Sequence, residues 1–286
     1  MDEVLFELNQ LTYVYPDGTD ALKNITLSIK KGKKIALLGN NGAGKSTLFL
    51  HLNGILKPTS GMILLEGSPI QYNRKSLLAL RKKIGIVFQD PDSQLFSGNV
   101  KQDISFGPMN LGWSKEKVNE QTEWAMKEMD VTGLQNKPVH FLSLGQKKRV
   151  SIAGVLAMEP EVFIFDEPTA GLDPYYSKQI KQVLNILHQK EKTILLSTHD
   201  IHFAYEWADE IIVISGGKLL YHGHPISLFL QDDILEIAHL EKPWVFETAE
   251  ILQKKQLLPE AESMPRSKEE LFKQLQSINA DSANIV

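Results

Sequence analysis

The fold class follows from "GNNGAGKST", Gly39–Thr47. It satisfies the spacing G-x-x-x-x-G-K-[ST], and it lies between a strand-like apolar run, Lys34–Leu38, and a helical pattern, Lys45–Asn53. The spacing has chemical meaning only in that strand–loop–helix setting. Glycines let successive N–H groups turn inward around phosphate oxygens, and the helix start adds partial positive charge. Lys45 is placed to reach the β- and γ-phosphate oxygens, and the Ser46 hydroxyl to ligate Mg²⁺. The candidate nucleotide contacts are therefore Gly39, Asn40, Asn41, Gly42, Ala43, Gly44, Lys45, Ser46 and Thr47. "GNNGAG" lacks the G-x-G-x-x-G spacing of a dinucleotide site. The loop implies a nucleoside triphosphate.

Outward from the loop, short apolar runs alternate with longer helical patterns, which predicts an α/β protein with a largely parallel core sheet. Strands are predicted at Val4–Leu8, Ile25–Ile29, Lys34–Leu38, Met62–Leu65, Ile84–Phe88, Val162–Phe165, Thr193–Ser197, Ile211–Ile214 and Lys218–Tyr221. The first of these alternate and are joined by turns such as "YPDGTD", as in an antiparallel flap. Helices are predicted at Lys45–Asn53, Lys115–Met129, Ser143–Met158, Tyr175–Gln189 and Ile201–Ala208. Residues 90–160 read as almost wholly helical, so a helical subdomain is expected inside the α/β core. Residues 1–230 form the main unit in this reading, and 231–286 a small extension. Within it, "PEAESMPRSKEE" is expected to be a solvated linker, followed by an amphipathic helix with Leu271, Phe272 and Leu275. "SINADSANIV" is expected to fray.

The 286 residues carry Lys+Arg 31 against Asp+Glu 35, a net charge of −4, so no overall basic field argues for nucleic acid. There is no cysteine, which excludes disulfides and thiolate metal sites. "MDEVLFELNQ" lacks the layout of a signal peptide, and no apolar run approaches the roughly 20 residues of a membrane span. A cytoplasmic protein is expected, touching a membrane only through a partner.

"VFIFDEPTAGLD" supplies a second acidic element. Asp166 ends a buried strand where a carboxylate can hold Mg²⁺, and Glu167 is placed to polarise an attacking water. In "HFLSLGQKKRV", Ser143 and Gln146 have the spacing of a capping box, and a capped helix start is also an anion site.

The loop, "LSLGQ", "FIFDEP", "AGLD" and "STHD", in that order, resemble the nucleotide-binding subunits of ATP-binding-cassette (ABC) transporters over roughly the first 230 residues. The resemblance implies a P-loop NTPase (RecA-like) core and two ATP–Mg²⁺ sandwiched in a head-to-tail dimer. It also implies that the signature residues Ser143, Leu144, Gly145 and Gln146 contact the nucleotide of the second subunit. Leu144 departs from the usual glycine; a working signature is expected unless that position needs a positive φ, which would strain a leucine. Gln89 resembles the glutamine that senses Mg²⁺ and links the site to the membrane partner. His199 resembles the histidine that contacts the γ-phosphate, and Asp173 a contact between subunits. Tyr15 is placed to stack on adenine, with Tyr13 as the alternative.

"VFQDPDSQLF", "DISFGPMNLG" and "LGQKKRVSIAGVLAMEP" further resemble the ATPases of energy-coupling-factor importers, most of all the cobalt/nickel type. That implies an integral membrane coupling protein and a substrate-binding membrane subunit as partners, and a C-terminal region that pairs ATPases. A vitamin importer, an exporter ATPase and a soluble non-transport ABC ATPase are the alternatives. In "YHGHP", two histidines at i, i+2 more often mark a solvated turn than a metal site.

Overall fold

The computed structural model describes residues 3–258 and 264–283. The chain opens with β1 (Val4–Val14), β2 (Asp20–Lys30) and β3 (Lys34–Leu38), then α1 (Lys45–Leu52), β4 (Ser60–Leu65) and β5 (Ser68–Pro69). It continues through α2 (Arg74–Lys83), β6 (Ile84–Val87), α3 (Val100–Asn110), α4 (Lys115–Glu128), α5 (Leu144–Leu156) and β7 (Val162–Asp166). Then come α6 (Pro174–Gln189), β8 (Thr193–Ser197), α7 (Ile201–Trp207), β9 (Glu210–Ser215) and β10 (Lys218–Gly223). The described chain closes with α8 (Pro225–Phe229), α9 (Asp232–Ala238), α10 (Trp244–Lys254) and α11 (Lys268–Ala283).

Two sheets result. The flap is antiparallel, in the order β2-β1-β4-β5. The core sheet runs β10-β9-β3-β8-β7-β6 and is parallel except at the β10–β9 edge. Its strands read as continuous apolar runs because both faces are covered. Ile35, Leu37, Val162, Ile164, Leu195, Ile212 and Ile214 point into the layer shared with the flap and α1. Their alternates Ala36, Leu38, Phe163, Phe165, Ile194, Leu196, Ile211 and Val213 point into the helical layer. Because β3, β7 and β8 are parallel neighbours, the loops leaving their C-terminal ends meet on one edge of the sheet, where ligands of open α/β sheets bind.

Helices α3, α4 and α5 pack against one another between β6 and β7 and form the inserted helical subdomain. The flap strands are longer than their apolar cores suggested, since β1 continues through polar positions to Val14. Helix α2, capped by Asn73 accepting from the Ser76 amide, was not anticipated from the sequence.

Two expectations for the C-terminal region are corrected. Met264 and Pro265 of the expected solvated linker are buried, and the Tyr205 hydroxyl donates to the Pro265 carbonyl at 3.0 Å. Arg266 donates to the carbonyls of Tyr205 and Ala208 at the end of α7. Residues 259–263 of that stretch lie outside the described residues. "SINADSANIV" does not fray at its start, because α11 runs to Ala283; residues 284–286 lie outside the described residues. Leu271 of α11 is buried, Leu275 packs against the core, and Phe272 stays exposed. Phe229, Leu235, Phe246, Leu258 and Met264 join the same cluster as Phe163 and Leu196, so the extension shares the core of the main sheet.

Candidate functional site

The loop after β3 is held open by backbone geometry. Gly39, Gly42 and Gly44 carry φ of 148°, 76° and 107°. Of these, Gly39 and Gly44 have no room for a side chain: a Cβ would lie 2.1 Å from the Ile214 carbonyl oxygen at the first and 2.6 Å from that of Ala21 at the second. Gly44 is the N-cap of α1 and supplies no side-chain cap, so the first amides of the helix have no capping partner from that residue. They border a cleft of about 270 Å³ lined by Tyr15, the loop from Asn40 to Thr47, Gln89, Asp166 and Glu167. Unpaired helix-start amides with partial positive charge suit an anion of phosphate size and charge.

Lys45 is buried, and its Nζ donates to the carbonyls of Gly39 at 2.6 Å and Asn40 at 3.2 Å. Burial pulls its pKa below the usual lysine value, while Glu167 and Asp166 pull it back up. The Tyr15 hydroxyl lies 3.0 Å from the Thr47 hydroxyl, and its ring meets Tyr13 edge-on at 4.9 Å. Tyr15 lines the cleft and Tyr13 does not; Tyr13 packs on His51 instead.

Asp166 ends β7 opposite Ser197 of β8, and the Ser197 hydroxyl donates to Asp166 Oδ1 at 2.5 Å. The Glu167 amide donates back to the Ser197 hydroxyl at 2.9 Å. Glu167 sits in the left-handed region at φ 52°, a conformation that costs a non-glycine residue about 1–3 kcal/mol and clusters at functional sites. Strain is therefore found at Glu167 and not at Leu144, which has no positive φ. Burial pushes the Glu167 carboxyl up from its ordinary value; His199 and Lys45 oppose that, and Asp166 adds to it. Lys45 Nζ is 3.9 Å from Glu167 Oε1, and His199 Nε2 is 2.8 Å from the same oxygen. The histidine contact is an ion-pair distance outside hydrogen-bond geometry, since Oε1 has no hydrogen-bond partner. A buried carboxylate whose Oε1 lies between the loop lysine and His199 without a hydrogen bond is suited to orienting water toward a phosphoryl group.

Ser143, Leu144, Gly145, Gln146 and Asp173 do not join this cleft. Ser143 and Gln146 close a capping box on α5: the Gln146 amide donates to the Ser143 hydroxyl, and the Ser143 amide to the Gln146 side chain at 3.1 Å. Leu144 is 52% exposed in the first turn. Asp173 caps α6 by accepting from the Tyr176 amide. The two histidines of "YHGHP" are engaged within the fold: His222 pairs with Glu210 at 2.8 Å, and His224 accepts from the Ile226 amide. Sequence reasoning missed Ser197 and Lys148. The serine ends "KTILLS", one strand over from Asp166. The lysine is a charged residue whose following neighbours on the helix face, Ser151 and Ile152, are buried.

The profile of the family described as "ABC transporter" matches residues 22–170. The energy-coupling factor transporter ATP-binding protein EcfA of Methanocaldococcus jannaschii is 49% identical over 89% of this chain and 91% of its own length. The protein of the same name from Methanococcus maripaludis is 47% identical over 89% and 91%. Among solved structures, cbiO1 from Clostridium perfringens, described as part of the ABC transporter complex cbiONQ, superposes with a TM-score of 0.71. It is 46% identical, with 82% of this chain and 94% of that one covered. A dimeric ATP-binding cassette solved with ADP and phosphate gives 0.72 at 28% identity, over 77% and 99%. The phosphate-loop core and its helical insertion are thus those of solved cassettes, and the chain belongs to the ABC transporter family, as the ATPase subunit of a transporter of the energy-coupling-factor type.

Proposed function

We propose that this chain powers uptake of cobalt or a related transition-metal ion, working as a head-to-tail pair of copies at the cytoplasmic face of the cell membrane. Lys45 and the loop amides take the phosphates of ATP, with Tyr15 against the adenine. Ser143 and the Gly145 amide of the second copy close on the same nucleotide, and Asp173 lies along the seam. Glu167 orients the attacking water, with His199 beside the γ-phosphate. Loss of product then reopens the pair, a shift between two states of different affinity for ATP.

One observation carries this reading: Lys45, Gln89, Asp166 and Glu167 meet in one cleft, whereas the signature residues stand outside it on an exposed helix start. A site divided in this way is completed by a second copy. Mg²⁺ fits the donor set, since Ser46, Gln89 and Asp166 offer the oxygen ligands a hard cation takes. When bound, it would neutralise phosphate charge.

Behind Gln89, a second cleft of about 340 Å³ is lined by Phe88, Phe96, Phe106 and Met158, with Phe96 and Phe106 stacked edge-on at 4.7 Å. This exposed apolar groove between core sheet and helical subdomain supports docking of the membrane coupling protein. No described helix is long and apolar enough to cross a membrane, so the span belongs to the partners in this reading. The cobalt assignment rests on the sequence resemblance to cobalt/nickel-type ATPases, and the likeness to cbiO1 supports a place in a multi-subunit ABC transporter complex. A vitamin importer is the second reading, with which the EcfA relatives agree equally well, since their name specifies no cargo.

The test is recovery of tagged Glu167→Gln chain from detergent-solubilised native membranes in ATP. A helical coupling protein and a small membrane subunit that binds cobalt are expected. A vitamin-binding subunit would select the second reading, and soluble or ribosomal partners alone would contradict the transporter.

A further inference from the structure

Lys148 lies in the second turn of α5, five residues after Ser143, and its side chain turns inward. It is 6% exposed, and its Nζ donates to the backbone carbonyl of Glu167 at 3.1 Å. Burial pulls the Lys148 pKa below the usual lysine value, and the charges of Glu167, Asp166 and Asp90 pull it back up. A buried ammonium is costly to desolvate unless it is paired and hydrogen-bonded, so its placement at this carbonyl needs a reason. The carbonyl belongs to the residue held at φ 52°. Strained peptides persist only where their surroundings over-determine them. Here the Glu167 amide is fixed from one side by Ser197, and its carbonyl from the other by Lys148 together with the Ala170 amide, which donates to it at 3.2 Å.

The two lysines near Glu167 also differ in what nucleotide does to them. Lys45 rests on the loop carbonyls of Gly39 and Asn40, which a phosphate group competes to replace. Lys148 is not among the residues that line the phosphate-loop cleft, and its ammonium donates to the Glu167 carbonyl instead. It is also carried by the signature helix, not by the core sheet.

We infer that Lys148 is a positioning residue: it fixes the Glu167 peptide from the signature helix, so the placement of that helix sets the placement of the water-orienting carboxylate in the same chain. The inference rests on the proposed role of Glu167. In a pair of copies, the segment that serves one nucleotide would thereby be tied to the carboxylate that serves the other.

The experiment compares steady-state ATP hydrolysis and ATP binding in wild type, Lys148→Met, Lys148→Arg and Lys147→Met. Lys147 is the adjacent lysine, and its ammonium pairs with the exposed Asp92 rather than with Glu167. Lys148→Met is expected to lose about 10- to 100-fold in kcat, with KM for ATP and nucleotide affinity within about threefold of wild type. Lys148→Arg, which keeps a cation and N–H donors, should recover most of the loss, and Lys147→Met should stay within about twofold. Wild-type kcat in Lys148→Met, or equal damage in Lys148→Arg, overturns the inference. So does a matching fall in ATP binding, which would assign Lys148 to folding. Full activity of Glu167→Gln would instead remove the proposed role of Glu167, an outcome distinct from wild-type kcat in Lys148→Met.

Discussion

Gly39–Thr47 and Ser143–Gln146 are both loops that start a helix, and the molecule finishes them in opposite ways. At α1 the N-cap is a left-handed glycine with no side chain to offer, and the amides beyond it border a cleft. At α5 the N-cap is Ser143 in a complete capping box, and Leu144 beside it lies in the open. The first start is shaped for an anion, because a helix end left uncapped needs an external partner. The second is stable by itself and can wait, exposed, for a partner that brings the anion to it. A capped end can still bind phosphate, since one serine hydroxyl and the remaining amides are reachable. Under the proposed reading, the difference lets one chain carry both halves of a site without closing them on each other.

The comparison can be broken in several places. The largest effect is expected from Glu167→Gln, which should lower kcat by about 10²- to 10⁴-fold while ATP binding persists and pairs of copies accumulate in ATP. Turnover at the wild-type rate would remove Glu167 from the chemistry. Lys45→Ala should weaken ATP binding by about 100-fold in a titration on the isolated chain, whereas Ser143→Ala should leave that affinity within about twofold. Equal losses would erase the distinction between the two starts.

Gly44→Ala and Gly145→Ala sharpen it at the backbone. The first puts a Cβ 2.6 Å from the Ala21 carbonyl oxygen at φ 107° and should cost about 2 kcal/mol or more in chemical denaturation. The second meets only the end of the Leu172 side chain, 3.3 Å away, and should fall within about 0.5 kcal/mol of wild type. The smallest effect is expected at Leu144→Gly, because nothing strains the leucine: ATP hydrolysis should change by less than about threefold. A rise of several orders of magnitude would mean that the natural signature is degenerate.

Much of this was legible in the sequence because local pattern and tertiary role coincide. β3 and β8 run over the residues their apolar runs mark, since strands buried on both faces need uninterrupted hydrophobic stretches. Ser143-x-x-Gln146 announced its capping box in four letters. What escaped depends on neighbours distant in sequence. Ser197 matters because β7 and β8 pair, placing it opposite Asp166 thirty-one residues earlier. The left-handed turn at Glu167 and the inward course of Lys148 follow from the same assembly of strands and helices. Met264 and Pro265 read as linker because two apolar residues among charges carry no periodicity, and their anchoring shows only in the Tyr205–Pro265 hydrogen bond and the docking of Arg266 on α7. Helix α2 was hidden by its run of basic residues, which leaves just Leu80 buried.

The central claim, that each nucleotide site is made of Lys45 from one copy and Ser143 from the other, is tested most directly by mixing. Lys45→Ala and Ser143→Ala chains are each assayed for ATP hydrolysis alone and then unfolded and refolded together in equal amounts. The mixed pair has one intact site and one doubly defective site, so the mixture should regain roughly a quarter of wild-type activity, since half of the pairs are mixed and each holds one working site of two. A mixture no more active than its two components would contradict the shared site and return the signature to the chain that carries it.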